Sequence, residues 1–484
     1  MLVAAVSLPA QEPPPTPREF RSVWVATVAN IDWPSKTTID NTWEQQRELL
    51  AILDRAVALK LNAIIFQVRP GADALYPSPY EPWSKFLTGR QGRAPEPPWD
   101  PLAFAVEQAH KRGLELHAWF NPYRAAYNRD TLSARTHVSR SNPSLVRSYD
   151  QYLWMDPGDP EVRRRSVRVI VDVAKRYDVD GVHIDDYFYP YPVNNSAGRR
   201  VEFPDSVTYA RYVKAGGKLA KDDWRRENVD KLVEALYKGV HEVKPWVKVG
   251  ISPFGIWRPG NPPQVSGFDA FAELYADARK WMQRGWADYM APQLYWPISR
   301  PQQSFPVLLD WWLKENTKKR HVWPGLATYR ILDSSAARHI SAQEIVDEID
   351  STRVRPGSQG HIHFSMTVLM KNPDSLFEKL SARYAESALV PASPWLGATP
   401  PGKPIVSLGH SAATGEPFIS LAPAKGGTAW LWVVRTRVGG AWSHQVLPGW
   451  LRVHRLPDDV QMASVTAISR TGIEGPATTV LSGR

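Results

Sequence analysis

The sequence predicts a (β/α)8 TIM barrel followed by a small all-β sandwich. Three observations carry that expectation. Between about residue 20 and residue 384, eight short β-branched or aromatic runs alternate with helical patterns. That repeat fits a closed parallel barrel better than an open doubly wound sheet. No glycine-rich phosphate loop follows the first run, which argues against a nucleotide-binding fold. After Tyr384 the texture turns proline-rich and then into short alternating runs broken by glycine turns. This is the pattern of a fibronectin type III or immunoglobulin-like sandwich.

Taken in order, residues 1–17 read as the end of a secretory signal and a proline-rich lead. Leu2 to Leu8 is apolar and Ala10-Gln11 is a plausible cleavage point. Residues 18–384 are the expected barrel, 385–403 a proline-rich linker and 404–484 the sandwich. The expected barrel strands are Arg21–Ile31, Ala63–Pro70, Glu115–Pro122, Gly181–Tyr187, Lys248–Phe254, Tyr289–Tyr295, Val322–Tyr329 and His361–Thr367. Helix starts stand between them. Thr42 and Gln45 have capping-box spacing, as do Ser341 and Glu344. Asp100-Pro101 and Asp159-Pro160 each set a capping acid before a first-turn proline, and Gly113 stops a helix ahead of the third strand.

Composition narrows the function. The chain has 484 residues, 43% hydrophobic and 22% charged, with a formal net charge of +10. The basic residues are scattered, so the charge reads first as solubility and second as an affinity for anionic polymers. No cysteine is present, which excludes disulfides, thiolate metal sites and a cysteine nucleophile. Tryptophan is abundant at 21 residues, and flat indoles suit stacking against sugar rings.

The chemistry gathers in DGVHIDDYFYPYP, Asp180 to Pro192. With period two, Val182 and Ile184 face the helices while His183 and Asp185 face the lumen, and Asp186 begins the loop. The same parity puts Gln67, Arg69, His117, Trp119, Asn121, Gln293, Tyr295, His363 and Ser365 in the lumen near their strand ends. Polar and aromatic residues converging on one barrel mouth suit a sugar cleft. Asp185 and Asp186 are the expected catalytic acids. The lumen histidines read as hydrogen-bonded core groups, so no metal or other cofactor is expected. A metal-dependent hydrolase or deacetylase using His183, Asp185 and His363 is the weaker alternative. Glycosidases ordinarily use two carboxylates, yet the seventh strand, GLATYRI, offers no Glu. Asp32, Asp269, Glu273 and Asp277 are the other candidates. Two routes remain beside a second acid: an N-acetyl group of the substrate as nucleophile, with Tyr295 orienting it, or a non-catalytic glycan-binding barrel.

Eight motifs in order, FRSVWVATVANIDWPS, AIIFQVRPGADALYPS, EPWSKFLTG, AHKRGLELHAWFNPYR, DGVHIDDYFYPYP, DDWRRENV, ISPFGIWRP and ADYMAPQLYWPISR, resemble the glycosyl hydrolase-like 10 family from about Arg18 to Lys379. The resemblance implies an exported TIM-barrel glycoside hydrolase acting on bacterial cell-wall or related glycans. Polysaccharide is then the partner, with no nucleic acid and no integral membrane segment, and cell-wall or divisome proteins are further partners it implies. It carries the paired acids onto Asp185 and Asp186. Substrate-binding roles fall on Asn121, Tyr123 and Arg124, on Trp224, Arg225 and Asn228, and on Gln293, Tyr295 and Trp296. Tyr187 and Trp257 lie within its motifs. One departure stands out: an enterobacterial member carries a Glu shortly after DDYFY, where this chain has Tyr191.

Overall fold

The computed structural model describes residues 12–128 and 133–481. The signal-like run from Leu2 to Gln11 lies outside the described residues. The chain forms two compact units, residues 19–385 with 395–397, and residues 386–394 and 398–481 with 12–18.

The larger unit is a TIM barrel. Its strands are Phe20–Val25, Ala63–Arg69, Glu115–Phe120, Gly181–Ile184, Lys248–Ile251, Tyr289–Met290, a split seventh strand and Gly360–His363. All pair in parallel, and the eighth closes on the first through Phe20 opposite Gly360. The seventh strand changes partner midway. His321–Val322 pairs with the sixth strand and Gly325–Leu326 with the eighth. Trp323-Pro324 stands at the break, where proline has no N–H to give to a ladder. The strands end sooner than the sequence patterns suggest. The first stops at Val25 because the chain turns into a 3-10 segment, Val28–Asn30, with Ala29 at positive φ.

Rings fill the barrel interior. Phe20 stacks on Trp323 with centroids 3.8 Å apart, and Tyr289 packs on the same indole at 4.8 Å. These rings fit because neighbouring strands carry glycine where they cross. A Cβ on Gly250 would lie 1.9 Å from Cζ of Tyr289, and one on Gly181 would lie 2.6 Å from the His117 ring. Gly250→Ala is therefore expected to destabilise the protein by about 3 kcal/mol through overpacking. A lowered urea midpoint with unchanged slope would show it.

Helices sheath the barrel, and most begin as the sequence indicates. Asp100 accepts from the backbone N–H groups of Leu102 and Ala103, and Ser341 from that of Glu344 at 3.2 Å. The first helix, Thr42–Ala58, differs by one residue. Asn41, not Thr42, is its cap and accepts from Glu44. A three-stranded antiparallel sheet that the sequence reading missed follows the third barrel strand. It comprises Arg124–Ala126, Val146–Tyr149 and Tyr152–Met155. Its hairpin turns at Asp150, which takes positive φ as Asp tolerates in tight turns.

The smaller unit is a sandwich of a three-stranded and a four-stranded antiparallel sheet. Its strands run from Ile405–His410 to Thr478–Leu481. Ile419, Leu421, Trp432, Val434 and Val465 fill the space between them. Residues 386–394, read in the sequence as linker, belong to this unit, and Leu389 is buried with Leu431, Val433 and Ile468. Among the described residues no helix is long and apolar enough to cross a membrane.

Candidate active site

The fourth barrel strand ends at Ile184, so Asp185 and Asp186 are the first two residues past it, at the C-terminal mouth. Both are only 4% exposed. They line a cavity of about 290 Å³ with Gln67, Trp119, Arg124, Tyr187, Gln293 and Tyr295. Trp24, Tyr127, Tyr191, Tyr329 and Phe364 complete an aromatic wall. Asp185 and Asp186 are the only carboxylates lining it among the described residues.

The two acids point to different supports. Asp185 accepts from Trp119 Nε1 at 3.1 Å, Asn121 Nδ2 at 3.2 Å and the Tyr187 N–H at 3.4 Å. Asn121 cannot present its oxygen there. Its Oδ1 already takes the N–H groups of Tyr123 and Arg124, which fixes the amide with its donor toward Asp185. Burial pushes Asp185 up to about 7, with the Asp186 charge adding and Arg124 opposing. Its bonds are longer than the 2.7–2.9 Å usual for charge-assisted N–H contacts to a carboxylate, as befits a neutral carboxyl. Asp186 takes the Tyr191 hydroxyl hydrogen. Burial raises it too, while Tyr191 and Gln293 support its anion. Two close acids in one dry site titrate as a pair. Of the two, Asp185 is the one raised to about 7, while Tyr191 and Gln293 favour the anion of Asp186, so Asp185 is the member suited to carry a proton near neutral pH.

Beneath the cavity a single line of hydrogen bonds runs down the lumen. Trp24 Nε1 can only donate, so His183 Nε2, at 3.2 Å, accepts. His183 Nδ1 therefore carries its hydrogen and gives it to the Tyr289 hydroxyl at 3.0 Å. Tyr289 passes its own to His117 Nδ1 at 2.8 Å, and His117 Nε2 reaches Glu115, which Lys248 neutralises at 2.9 Å. Burial holds His183 well below the usual imidazole range. His363 is likewise spent between Thr328 and Tyr384. Neither histidine has a lone pair left for a metal. Among the described residues no group of three His, Asp or Glu side chains gathers as a metal ion needs.

Several expected site residues do other work. Arg69 does not keep the parity of Gln67: the strand shifts register between them, so Arg69 stands opposite Phe120, outside the cavity lining, where Glu81 closes it off in a two-pronged pair at 2.6 and 2.7 Å, both side chains fully buried. His117 lies deep in the lumen line, and Tyr123 is buried outside the cavity lining. Trp224, Arg225 and Asn228 lie on the helix Lys221–Val243, where Arg225 grips Asp205 at 2.7 and 2.8 Å. Trp257 stacks on Trp311 and donates to Asp277, while Trp296 packs edge-on to Phe254. The other candidate carboxylates are also committed. Asp32 accepts from Ala26, Ser365 and Thr367 at 2.7 Å each. Asp269 and Asp277 cap short helices, and Glu273 pairs with Arg200.

Sequence reasoning missed Trp24, Tyr127, Tyr191, Ser252, Tyr329 and Phe364 as cavity residues. Parity on the first strand puts Trp24 in register with lumen positions. Ser252 and Phe364 stand just past the ends of the fifth and eighth strands, Tyr329 lies in a short 3-10 helix, and Tyr127 and Tyr191 come from loops, where period two gives no signal.

A family model described as Glycosyl hydrolase-like 10 matches residues 19–340. Glycosyl hydrolase YngK of Bacillus subtilis is 43% identical over 408 residues, covering 82% of this chain and 78% of the relative. Glycosyl hydrolase DigH of Escherichia coli is 35% identical over 398 residues, covering 76% of this chain and 88% of the relative. The solved catalytic domain of β-amylase from Paenibacillus polymyxa aligns with TM-score 0.50 at 12% identity, covering 76% of this chain and 98% of that one. This last likeness is one of fold.

Proposed function

The chain belongs to the glycosyl hydrolase-like 10 family and is a glycoside hydrolase, and from that premise we propose that it cleaves the glycan strands of a bacterial cell wall after export. Peptidoglycan strands or a related N-acetylhexosamine polymer are the substrate. The observation that carries the reading is the Asp185–Asp186 pair, alone among the carboxylates of the described residues in an aromatic-walled cavity at the barrel mouth. Trp24, Trp119 and the tyrosines offer faces and edges to sugar rings, and Gln67 and Gln293 offer amides to hydroxyls.

Asp185 gives its proton to the glycosidic oxygen as the bond from that oxygen to the anomeric carbon breaks. Asp186, held as the anion by Tyr191 and Gln293, stabilises the positive charge that develops on the sugar. Water adds to the anomeric carbon and its proton returns to the pair. The sandwich, with three strands in one sheet and four in the other, suits a fibronectin type III-like spacer or wall-binding module.

The test is digestion of purified peptidoglycan, intact and stripped of stem peptides, read by mass spectrometry. New reducing-end oligosaccharides are expected. Retention of the polymer without any product would sink the proposal.

A further inference from the structure

Six arginines are buried among the described residues: Arg21, Arg69, Arg124, Arg165, Arg225 and Arg435. Five have a carboxylate within 4 Å, namely Glu19, Glu81 (shared by Arg69 and Arg165), Asp205 and Glu474. Arg124 has none. Among the described residues its guanidinium makes one hydrogen bond, from Nη1 to the Pro70 carbonyl at 3.2 Å, and its Nε is buried without a partner. A buried guanidinium left that way is costly unless something completes it. The Asp pair feels its charge, but only at longer range.

Arg124 is also held in place. Its guanidinium stands 4.3 Å over the Tyr187 ring and lines the cavity. A second unfinished donor lines the same cavity. Gln67 Oε1 accepts from the N–H groups of Thr27 at 2.9 Å and Val28 at 2.8 Å, so the amide cannot turn over. Its Nε2 is left buried and unpartnered. The cavity thus offers fixed donors from the second strand and from just past the third, together with the Asp pair past the fourth. Donors without acceptors, one of them a planar cation, make a receptor for a carboxylate.

We propose that Arg124, assisted by Gln67, binds a carboxylate carried by the substrate sugar beside the scissile bond. The inference rests on the cell-wall glycan reading and narrows it to acidic sugars. In peptidoglycan that group is the lactyl carboxylate of N-acetylmuramic acid, which is free where no peptide is attached and an amide where one is. The arginine finds in the substrate the partner that the other five find in the chain.

The experiment compares glycan strands bearing free carboxyls with the same strands after conversion of those carboxyls to primary amides. Release of reducing ends gives kcat/KM for each. The wild-type enzyme is expected to favour the free acid at least tenfold. In Arg124→Gln the ratio should collapse to within about threefold, and Arg124→Lys should recover part of it. Equal cleavage of both strands by the wild type would overturn the proposal while leaving the cell-wall reading intact. So would an Arg124→Gln enzyme that is slower on both but keeps the preference. Cleavage of neither strand by the wild type would bring down the cell-wall reading, and this inference with it. The wild-type comparison decides even if the Gln variant fails to fold.

Discussion

Asp185→Asn is expected to lower kcat about a thousandfold on a natural glycan, where the departing sugar oxygen needs a proton. On an aryl glycoside whose leaving group departs unprotonated, the same variant should keep most of its rate in the first step. Asp186→Asn should lose both activities, because charge stabilisation is needed whatever leaves. Equal losses for Asp185→Asn on both substrates would remove it from the acid role. The wild-type rate should also fall as pH rises past about 7, where Asp185 gives up its proton. Stability has the same sign. Asp185 is raised from the ordinary Asp value near 4, so between about pH 4 and 7 the fold holds a proton that the unfolded chain has released. Stability therefore declines as pH rises through that window. Asn removes the penalty, so the inactive variant should melt higher than wild type above pH 7, by up to about 4 kcal/mol of stability. Near pH 4 the two should coincide.

Glu81→Gln is expected to destabilise the protein by about 3–5 kcal/mol, the usual result of stranding a buried cation. Here two cations lose their partner, because Arg165 Nε lies 3.6 Å from the same carboxylate that Arg69 grips. The double variant Arg69→Met, Glu81→Leu should recover much of the loss, as apolar replacements of buried pairs often do. Urea midpoints for the single and double variants measure it. Activity should suffer as well, since Arg69 Nη1 also bonds the Asn121 carbonyl, and Asn121 positions Asp185. A single variant that stays within about 1 kcal/mol of wild type would mean that Glu81 is not needed to hold the two buried arginines.

The barrel was legible because its strands are short β-branched or aromatic runs that alternate with helical patterns, and parity put Gln67 and Asp185 toward the cavity. Parity says which way a side chain leaves the strand, not what meets it there. Nor does parity survive an irregularity: the register shifts between Gln67 and Arg69, which leaves Arg69 opposite Phe120, and a glutamate twelve positions later, in a loop, closes over it. His117 and His183 face inward as expected, but the tyrosine that occupies both comes from a strand more than a hundred residues on. The family motif containing Trp224, Arg225 and Asn228 was legible as a motif and misleading as a site. It secures a helix to the loop at Asp205. Tyr191 was visible as one of the rings that follow the two acids and as a departure from the family pattern, not as a partner of Asp186. Its place, with the hydroxyl on Asp186, follows from the path of an irregular loop. The hairpin around Asp150 was overlooked because its strands have only four residues each.

The lumen line from Trp24 to Lys248 makes the barrel a one-way street for protons. From Trp24 through His183, Tyr289 and His117 each donor hands one hydrogen down toward Glu115, Lys248 donates up to the same carboxylate, and Trp24, which can only donate, holds the order in that direction. No imidazole of that line is then free to take a proton from the cavity above it, and in the proposed mechanism proton traffic passes through the mouth, by the Asp pair and the water that enters with the sugar. The same locked order keeps the indole of Trp24 from turning, so the sugar meets a floor that is already set. A pH–rate profile shaped only by carboxyl groups, and indifference to imidazole-modifying reagents, would be the kinetic trace of that closed road.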